Sequence, residues 1–118
     1  DKLQRFQERD IIERHTSIVN FAELGYDIRV NILLNVDHED YDAVETFLGD
    51  HAKVNNVLRI SNGYDYIAEA VFRDMEEYDA FFNSLGEQPV NDIDQYFVMD
   101  ELKREAFLTY KENLGVQR

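Results

Sequence analysis

The chain has 118 residues and 44% hydrophobic content, with 8 Phe and 7 Tyr, enough for one domain with a core of its own. Its 25 acidic and 12 basic side chains give a formal charge of −13, which excludes bare nucleic acid as a partner of this stretch alone, because phosphate binding needs clustered Lys and Arg. The absence of cysteine excludes disulfides and thiolate metal sites, and no apolar run approaches the ~20 residues of a membrane span, so a cytoplasmic location is expected.

Residues 2–9 are charged, with Leu3 and Phe6 three apart, which predicts the last turns of a helix with a narrow apolar edge. The chain opens on Asp1 inside that pattern, so a fragment of a longer protein is expected. Residues 11–19 are β-rich and predict a short strand or an extended arm. Residues 20–25 read as a connector in which Leu24 packs and Gly25 ends a turn.

Ile28, Val30, Ile32, Leu34 and Val36 then alternate with Arg29, Asn31, Leu33 and Asn35. Such alternation predicts a strand with one buried face. The opposite face is polar but weakly charged, which suits another subunit or a wet cavity better than bulk solvent. Asp37 is placed to N-cap a helix, with Glu39 and Asp40 in its first turn. Tyr41, Val44, Phe47 and Leu48 form its apolar stripe, and Gly49 is predicted just past its end. The carboxylates of Asp37, Glu39 and Asp40 around His38 have the look of a metal cluster, but a solvated helix start matched to the helix dipole explains them. His15, His38 and His51 lack zinc-type spacing, so no metal and no cofactor are expected.

Residues 54–60 and 66–72 predict two strands around Ser61-Asn62-Gly63-Tyr64-Asp65. Asn-Gly between such runs is a strong hairpin signal, because both residues tolerate the positive φ of a type I′ turn. In the second strand Ala68, Ala70 and Phe72 share one face, and Ile67, Glu69 and Val71 the other. Asp74 and Glu77 make a variant capping box. It leads into a stripe of Tyr78, Phe81, Phe82 and Leu85 that Gly86 closes, with the single proline, Pro89, just beyond. Residues 93–99 alternate as a fourth strand. Residues 101–113 carry Leu102, Ala106, Phe107 and Tyr110 at helical spacing and predict a tail helix that Gly115 ends.

The chain repeats itself around the hairpin. Glu39-Asp40-Tyr41-Asp42-Ala43-Val44 parallels Glu76-Glu77-Tyr78-Asp79-Ala80-Phe81, and Val54-Asn55-Asn56-Val57 parallels Val90-Asn91-Asp92-Ile93. Two β-α-β units joined at Asn62-Gly63 give β-α-β-β-α-β, an α+β ferredoxin-like sandwich with two helices over one face of a four-stranded antiparallel sheet. The other face, with Arg29, Leu33 and Ile67, has no cover in one copy, which argues for dimerisation through the sheets.

The hairpin is also the candidate binding site. Backbone N–H groups of a Gly-containing turn can hold a carboxylate, and Asp65 can hold an ammonium, the two groups of an amino acid. The competing reading is structural: Asn62-Gly63 is only a turn, Asp65 caps backbone groups, and Tyr64 and Tyr66 pack at an interface. No serine-nucleophile or phosphate-loop pattern is present, and nothing marks a carboxylate pair for acid–base catalysis.

Over residues 3–99 the order and spacing of several segments resemble the leucine-responsive/AsnC (feast/famine) family of transcription regulators. Phe6-Gln7-Glu8-Arg9-Asp10-Ile11-Ile12 stands where that family ends its recognition helix, Leu24-Gly25-Tyr26 matches its connector, and Ile60-Ser61-Asn62-Gly63-Tyr64-Asp65-Tyr66 resembles its hallmark hairpin. The sequence departs from the pattern at Asn62 and at Asp10, where the family has glycine. The first helices of the helix-turn-helix unit are absent from it.

The resemblance implies a dimeric α+β barrel type of effector (RAM) domain over residues 23–100. It implies a remnant of the DNA-binding unit and a linker arm over 1–22, and a tail over 101–118. Lys2, Arg5, Arg9 and Arg14 would then lie beside DNA phosphates in a longer protein. It further implies a homodimer that assembles into higher oligomers and an amino acid or related metabolite as effector. Asn62, Gly63, Tyr64 and Asp65 would be the ligand-binding residues, and DNA would be contacted only through a helix-turn-helix unit outside these residues. Two alternatives stay open. One is a stand-alone ligand-binding module. The other is a small cofactor-free enzyme on the same fold, using Arg29, Asn31 and Tyr96 in a cavity between helices and sheet.

Overall fold

Strand β1 spans Ile28–Asn35 and helix α1 Tyr41–Asp50, followed by β2 over Val54–Arg59 and β3 over Tyr66–Phe72. Helix α2 covers Met75–Gly86 and β4 Asp92–Phe97, which completes the β-α-β-β-α-β order. The computed structural model describes residues 21–115, so the predicted helix at 2–9 and the arm at 11–19 lie outside the described residues. The chain divides into two compact units, one of residues 21–98 and another whose described part begins at Met99.

The sheet is antiparallel throughout, in the order β2-β3-β1-β4. Leu34 faces Tyr66 on one side and Ile93 on the other, so the inward residues of three strands line up in rows. Val30, Ile32 and Leu34 alternate inward and are fully buried, as their period of two requires. They meet Val44 and Leu48 of α1, Phe81 and Leu85 of α2, and Tyr66, Ala68, Ala70 and Phe72 of β3. Small Ala68 and Ala70 on the sheet leave room for the Phe81 ring, whose centroid lies 5.4–6.0 Å from those of Phe47, Phe72 and Phe82. Both sheet edges are exposed strands, β2 and β4.

The predicted cap at α2 forms, but its return bond goes to Arg73, one residue before the N-cap Asp74. The Asp74 carboxylate accepts from Glu77 N–H at 3.0 Å, and the Glu77 carboxylate reaches back to Arg73 N–H at 2.8 Å. The start of α1 differs from expectation. Asp37 precedes a 3-10 turn, His38–Asp40, and makes no side-chain cap bond. Its carboxylate accepts instead from Asn91 Nδ2 at 3.0 Å, so it ties the helix start to the loop before β4. Gly49 lies inside α1 rather than past it, because the chain turns extended only at His51. Gly25 does end a turn, at φ +90°, but Leu24 beside it is 54% exposed rather than packed. The fourth strand stops at Phe97, and Met99 stands exposed beyond it.

The predicted tail helix does not form. Residues 101–106 are irregular, and two 3-10 turns follow, Phe107–Thr109 and Lys111–Leu114. Glu105 sits at φ +49°, which breaks any right-handed helix through it. Leu102 is 90% and Phe107 68% exposed, so among the described residues the apolar stripe lacks the packing that holds an amphipathic helix in water.

Candidate functional site

The hairpin loop is longer than a two-residue type I′ turn. Its closing pair is Ile60 and Asp65, joined by a 2.8 Å bond from Ile60 N–H to Asp65 C=O, with Ser61–Tyr64 looping out. Asn62 and Gly63 take the positive φ the sequence predicted, +78° and +115°. The loop is longer because Asp65 is committed elsewhere. Its N–H donates to Leu34 C=O at 2.8 Å, which prolongs the β3–β1 ladder to the end of β1.

The Asp65 side chain then pins the loop from inside. One carboxylate oxygen accepts from Val36 N–H at 2.8 Å and the other from the Tyr41 hydroxyl at 2.7 Å. The Val36 N–H and then the Tyr41 hydroxyl hold the Asp65 carboxyl below its ordinary value, against the opposing effect of burial. Asn35 Nδ2 donates to Gly63 C=O at 2.5 Å, and the Tyr64 hydroxyl bonds to Asp94 on β4. That bond, followed by burial, pushes the Tyr64 hydroxyl up to about 12.

The four expected site residues therefore divide into two pairs. Asn62 and Gly63 form the exposed apex, while Tyr64 and Asp65 are half-buried anchors to β4, β1 and α1. The N–H groups of Ser61, Asn62, Gly63 and Tyr64 donate to no group among the described residues. Tyr66 does not share the surface position of the loop before it. It is 1% exposed, in the core, with its hydroxyl on Glu45.

Several supporting residues escaped the sequence reading. Glu45 takes the Tyr66 hydroxyl and the Arg59 guanidinium, and Arg59 lies 5.0 Å over the Tyr41 ring. Asn35 and Asp94 reach the hairpin because β1 ends and β4 begins beside it. The β-α-β-β-α-β plan held a signal for it, since a ferredoxin-like sheet places β1 between β3 and β4, as it does here. Asp37, Glu39 and Asp40 do bring their carboxylates within 4.8 Å of one another. They sit at the 3-10 entry to α1, as the dipole-matched helix start anticipated, and Asp37 is already bonded to Asn91.

Arg29, Asn31 and Tyr96 do not line a cavity between helices and sheet. Their register puts them on the sheet face away from the helices, and the helix side is filled by apolar side chains with no buried polar residue among those described. A shallow hollow of about 170 Å³ lies at the other end of the sheet from the hairpin, lined by Phe21, Leu24, Tyr26, Lys53 and Val54 among others.

Comparison with known proteins agrees with this architecture. The family model described as the Lrp/AsnC ligand binding domain matches residues 29–107. The transcriptional regulator AzlB of Bacillus subtilis is 30% identical over 102 residues, which is 82% of this chain and 65% of that protein. The HTH-type transcriptional regulator FL11 of Pyrococcus furiosus is 27% identical over 86 residues, 73% of this chain and 57% of that protein. The chain thus spans less than two thirds of the length of either relative. Among solved structures, the Neisseria meningitidis regulator NMB0573 in complex with L-Met superposes with a TM-score of 0.69 at 17% identity, covering 86% of this chain and 69% of that one. An AsnC family regulator from Agrobacterium tumefaciens gives 0.64 at 20% identity, with the same coverage. No described helix is long and apolar enough to cross a membrane. With the ferredoxin-like fold, the anchored hairpin and the family match all falling on the same residues, the chain belongs to the Lrp/AsnC family, and residues 29–107 are its ligand-binding domain.

Proposed function

We propose that this domain senses an amino acid or a closely related metabolite at the Asn62–Asp65 hairpin, and that it assembles through the uncovered face of its sheet as the regulatory part of a transcription regulator. The observation that carries the reading is the hairpin apex. Four consecutive N–H groups, from Ser61 to Tyr64, donate to no group among the described residues, and Asn62 and Gly63 among them take positive φ. Successive N–H groups in such a bend favour an anion such as a carboxylate. Asp65 locks the bend in place, and each of its oxygens keeps a second lone pair for an ammonium. The L-Met complex of the Neisseria regulator supports the amino-acid class of effector.

In this reading the ligand binds where the hairpins of neighbouring subunits approach, and it shifts the balance between assembly states. The assembly in turn sets the spacing of the DNA-binding units. DNA is contacted through a helix-turn-helix unit, of which residues 1–22 are the trailing end.

Thermal-shift measurements with the twenty amino acids test the sensor role, since a ligand bound to the folded state raises the midpoint. A hit that Gly63→Val abolishes, with the far-UV circular dichroism unchanged, ties the ligand to the apex. No shift with any amino acid at millimolar concentration would remove the amino-acid assignment.

A further inference from the structure

The internal repeat lays the two halves of the domain over each other, and one position departs from it. Tyr41 of α1 corresponds to Tyr78 of α2, and each hydroxyl donates to a polar side chain of the sheet layer, Asp65 and Gln95 respectively. Four residues on, the match fails. Phe82 packs on the Tyr78 ring with centroids 4.8 Å apart, as an i,i+4 pair on one helix face does. The corresponding residue of α1 is Glu45. Its Oε2 atom accepts from both the Arg59 guanidinium and the Tyr66 hydroxyl. Arg59 and Tyr66 are partners across the β2–β3 ladder, one step before the Ile60–Asp65 pair that closes the hairpin loop. A single oxygen of α1 therefore holds both stems of the loop.

The two stems do not depend on it equally. The β3 stem is fixed in other ways, because the Tyr66 ring is in the core and Asp65 is bonded to Leu34, Val36 and Tyr41. The β2 stem is an edge strand whose residues 55–59 are all exposed. Its loop end is tied to α1 by Arg59, which lies 5.0 Å over the Tyr41 ring and is bonded to Glu45. An arginine on an exposed strand otherwise samples many rotamers, and the Glu45 carboxylate selects the one that covers Tyr41.

We propose that Glu45 is the positioning residue of the hairpin site. By holding Arg59 against Tyr66 it fixes the β2 stem, and with it the bend of N–H groups that takes the effector; the inference rests on the sensor role proposed above. A bend already in place binds an anion without first being ordered, so a looser stem lowers affinity although every contact residue is intact. A carboxylate that only stabilised α1 would weaken binding no more than an equally destabilising change elsewhere in the domain.

Amide hydrogen exchange, and amide chemical-shift titration with an equimolar mixture of the twenty amino acids at millimolar concentrations, test this on the whole 118-residue chain. The variants are Glu45→Ala, Glu45→Gln, Arg59→Gln and, as the remote control, Asp74→Ala at the cap of α2. In Glu45→Ala the Ile60 amide, which closes the loop, is expected to exchange at least about 10-fold faster relative to Ala68 in the middle of β3. The titration midpoint read at Asn62 and Gly63 is expected to rise at least about 10-fold with it. Glu45→Gln keeps an acceptor oxygen without the charge and should show smaller rises in both. Arg59→Gln, at an exposed position, should show both changes and keeps the test open if Glu45→Ala does not fold. Asp74→Ala should lower stability with neither change. If the Ile60-to-Ala68 ratio in Glu45→Ala and Arg59→Gln matches that of Asp74→Ala, or if exchange rises while the midpoint stays, Glu45 does not position the site. A wild type whose Ser61–Tyr64 amides do not respond to the mixture overturns the sensor role itself, a result seen before any substitution is made.

Discussion

Asp65 holds three parts of the chain with its side chain, its N–H and its C=O: the hairpin it belongs to, the end of β1, and the first residue of α1. Asp65→Ala is therefore expected to lower the thermal midpoint, and Tyr41→Phe to lower it less. The two changes together should cost less than their sum, because they share one bond; a double-mutant cycle in urea measures the coupling. Gly63 lies at φ +115°, so Gly63→Ala should destabilise by roughly 1–2 kcal/mol, where an ordinary exposed substitution stays within about 0.5 kcal/mol. The pH dependence divides by residue. The carboxyls of Asp65 and Glu69 lie below ordinary values of 3.8 and 4.5; burial is the largest single effect on Glu69 and raises it, but the Asn55, Arg29 and Asn56 contacts together outweigh it, while Asp65 is lowered first by the Val36 N–H and then by the Tyr41 hydroxyl. Their stabilisation is present above those values and is lost as pH falls through the lower folded ones. His51 is lowered from 6.5, first by burial against Phe81 and Phe47 and then by the Lys53 charge, while its Nδ1 accepts from Lys53 N–H. A group lowered in the folded state loses its contribution as pH falls from 6.5 toward its folded value, so His51→Gln should flatten the stability profile just below pH 6.5, read from urea midpoints.

The elements show where pattern sufficed and where it did not. In α2 the sequence signals agreed with one another, and the helix formed between its cap and its closing glycine. Asp74→Ala should cost about 1 kcal/mol through loss of the cap. Phe81→Ala should cost about 3–5 kcal/mol, since Phe81 is fully buried among Phe47, Phe72 and Phe82. Chemical denaturation resolves both. For α1 the stripe was read correctly and the cap was not, because Asp37 had a competing donor, Asn91, 54 residues away. The tail fails for a related reason. Its helical spacing describes a face that needs a partner, and among the described residues Leu102, Phe107 and Leu108 are exposed.

For the whole molecule, the sheet covered on one side by two helices leaves Leu58, Ile67, Leu33 and Tyr96 on the other. If that face pairs, the thermal midpoint should rise with protein concentration, and Ile67→Glu should remove the concentration dependence without disturbing the helix-side core. The sheet order puts the hairpin and the sheet face away from the helices on one small unit, which is the arrangement the proposed coupling of ligand to assembly requires.

The sequence by itself determined the β-α-β-β-α-β order, the inward face of β1, both helix stripes and the positive-φ pair at Asn62-Gly63. These follow from periods of two and 3.6 and from local backbone freedom, which act over a few residues. The tertiary structure alone decided that Asp65 is an anchor, that Tyr66 is core, that Glu45 and Arg59 support the hairpin, and that a bulge at Asn55 turns two amides onto Glu69. These depend on which strand ends and helix turns meet in space, across 13 to 30 residues of chain, and no local period records such a meeting. The hairpin thus carries its turn in its own sequence, while the side chains that hold it come from β1, α1 and β4.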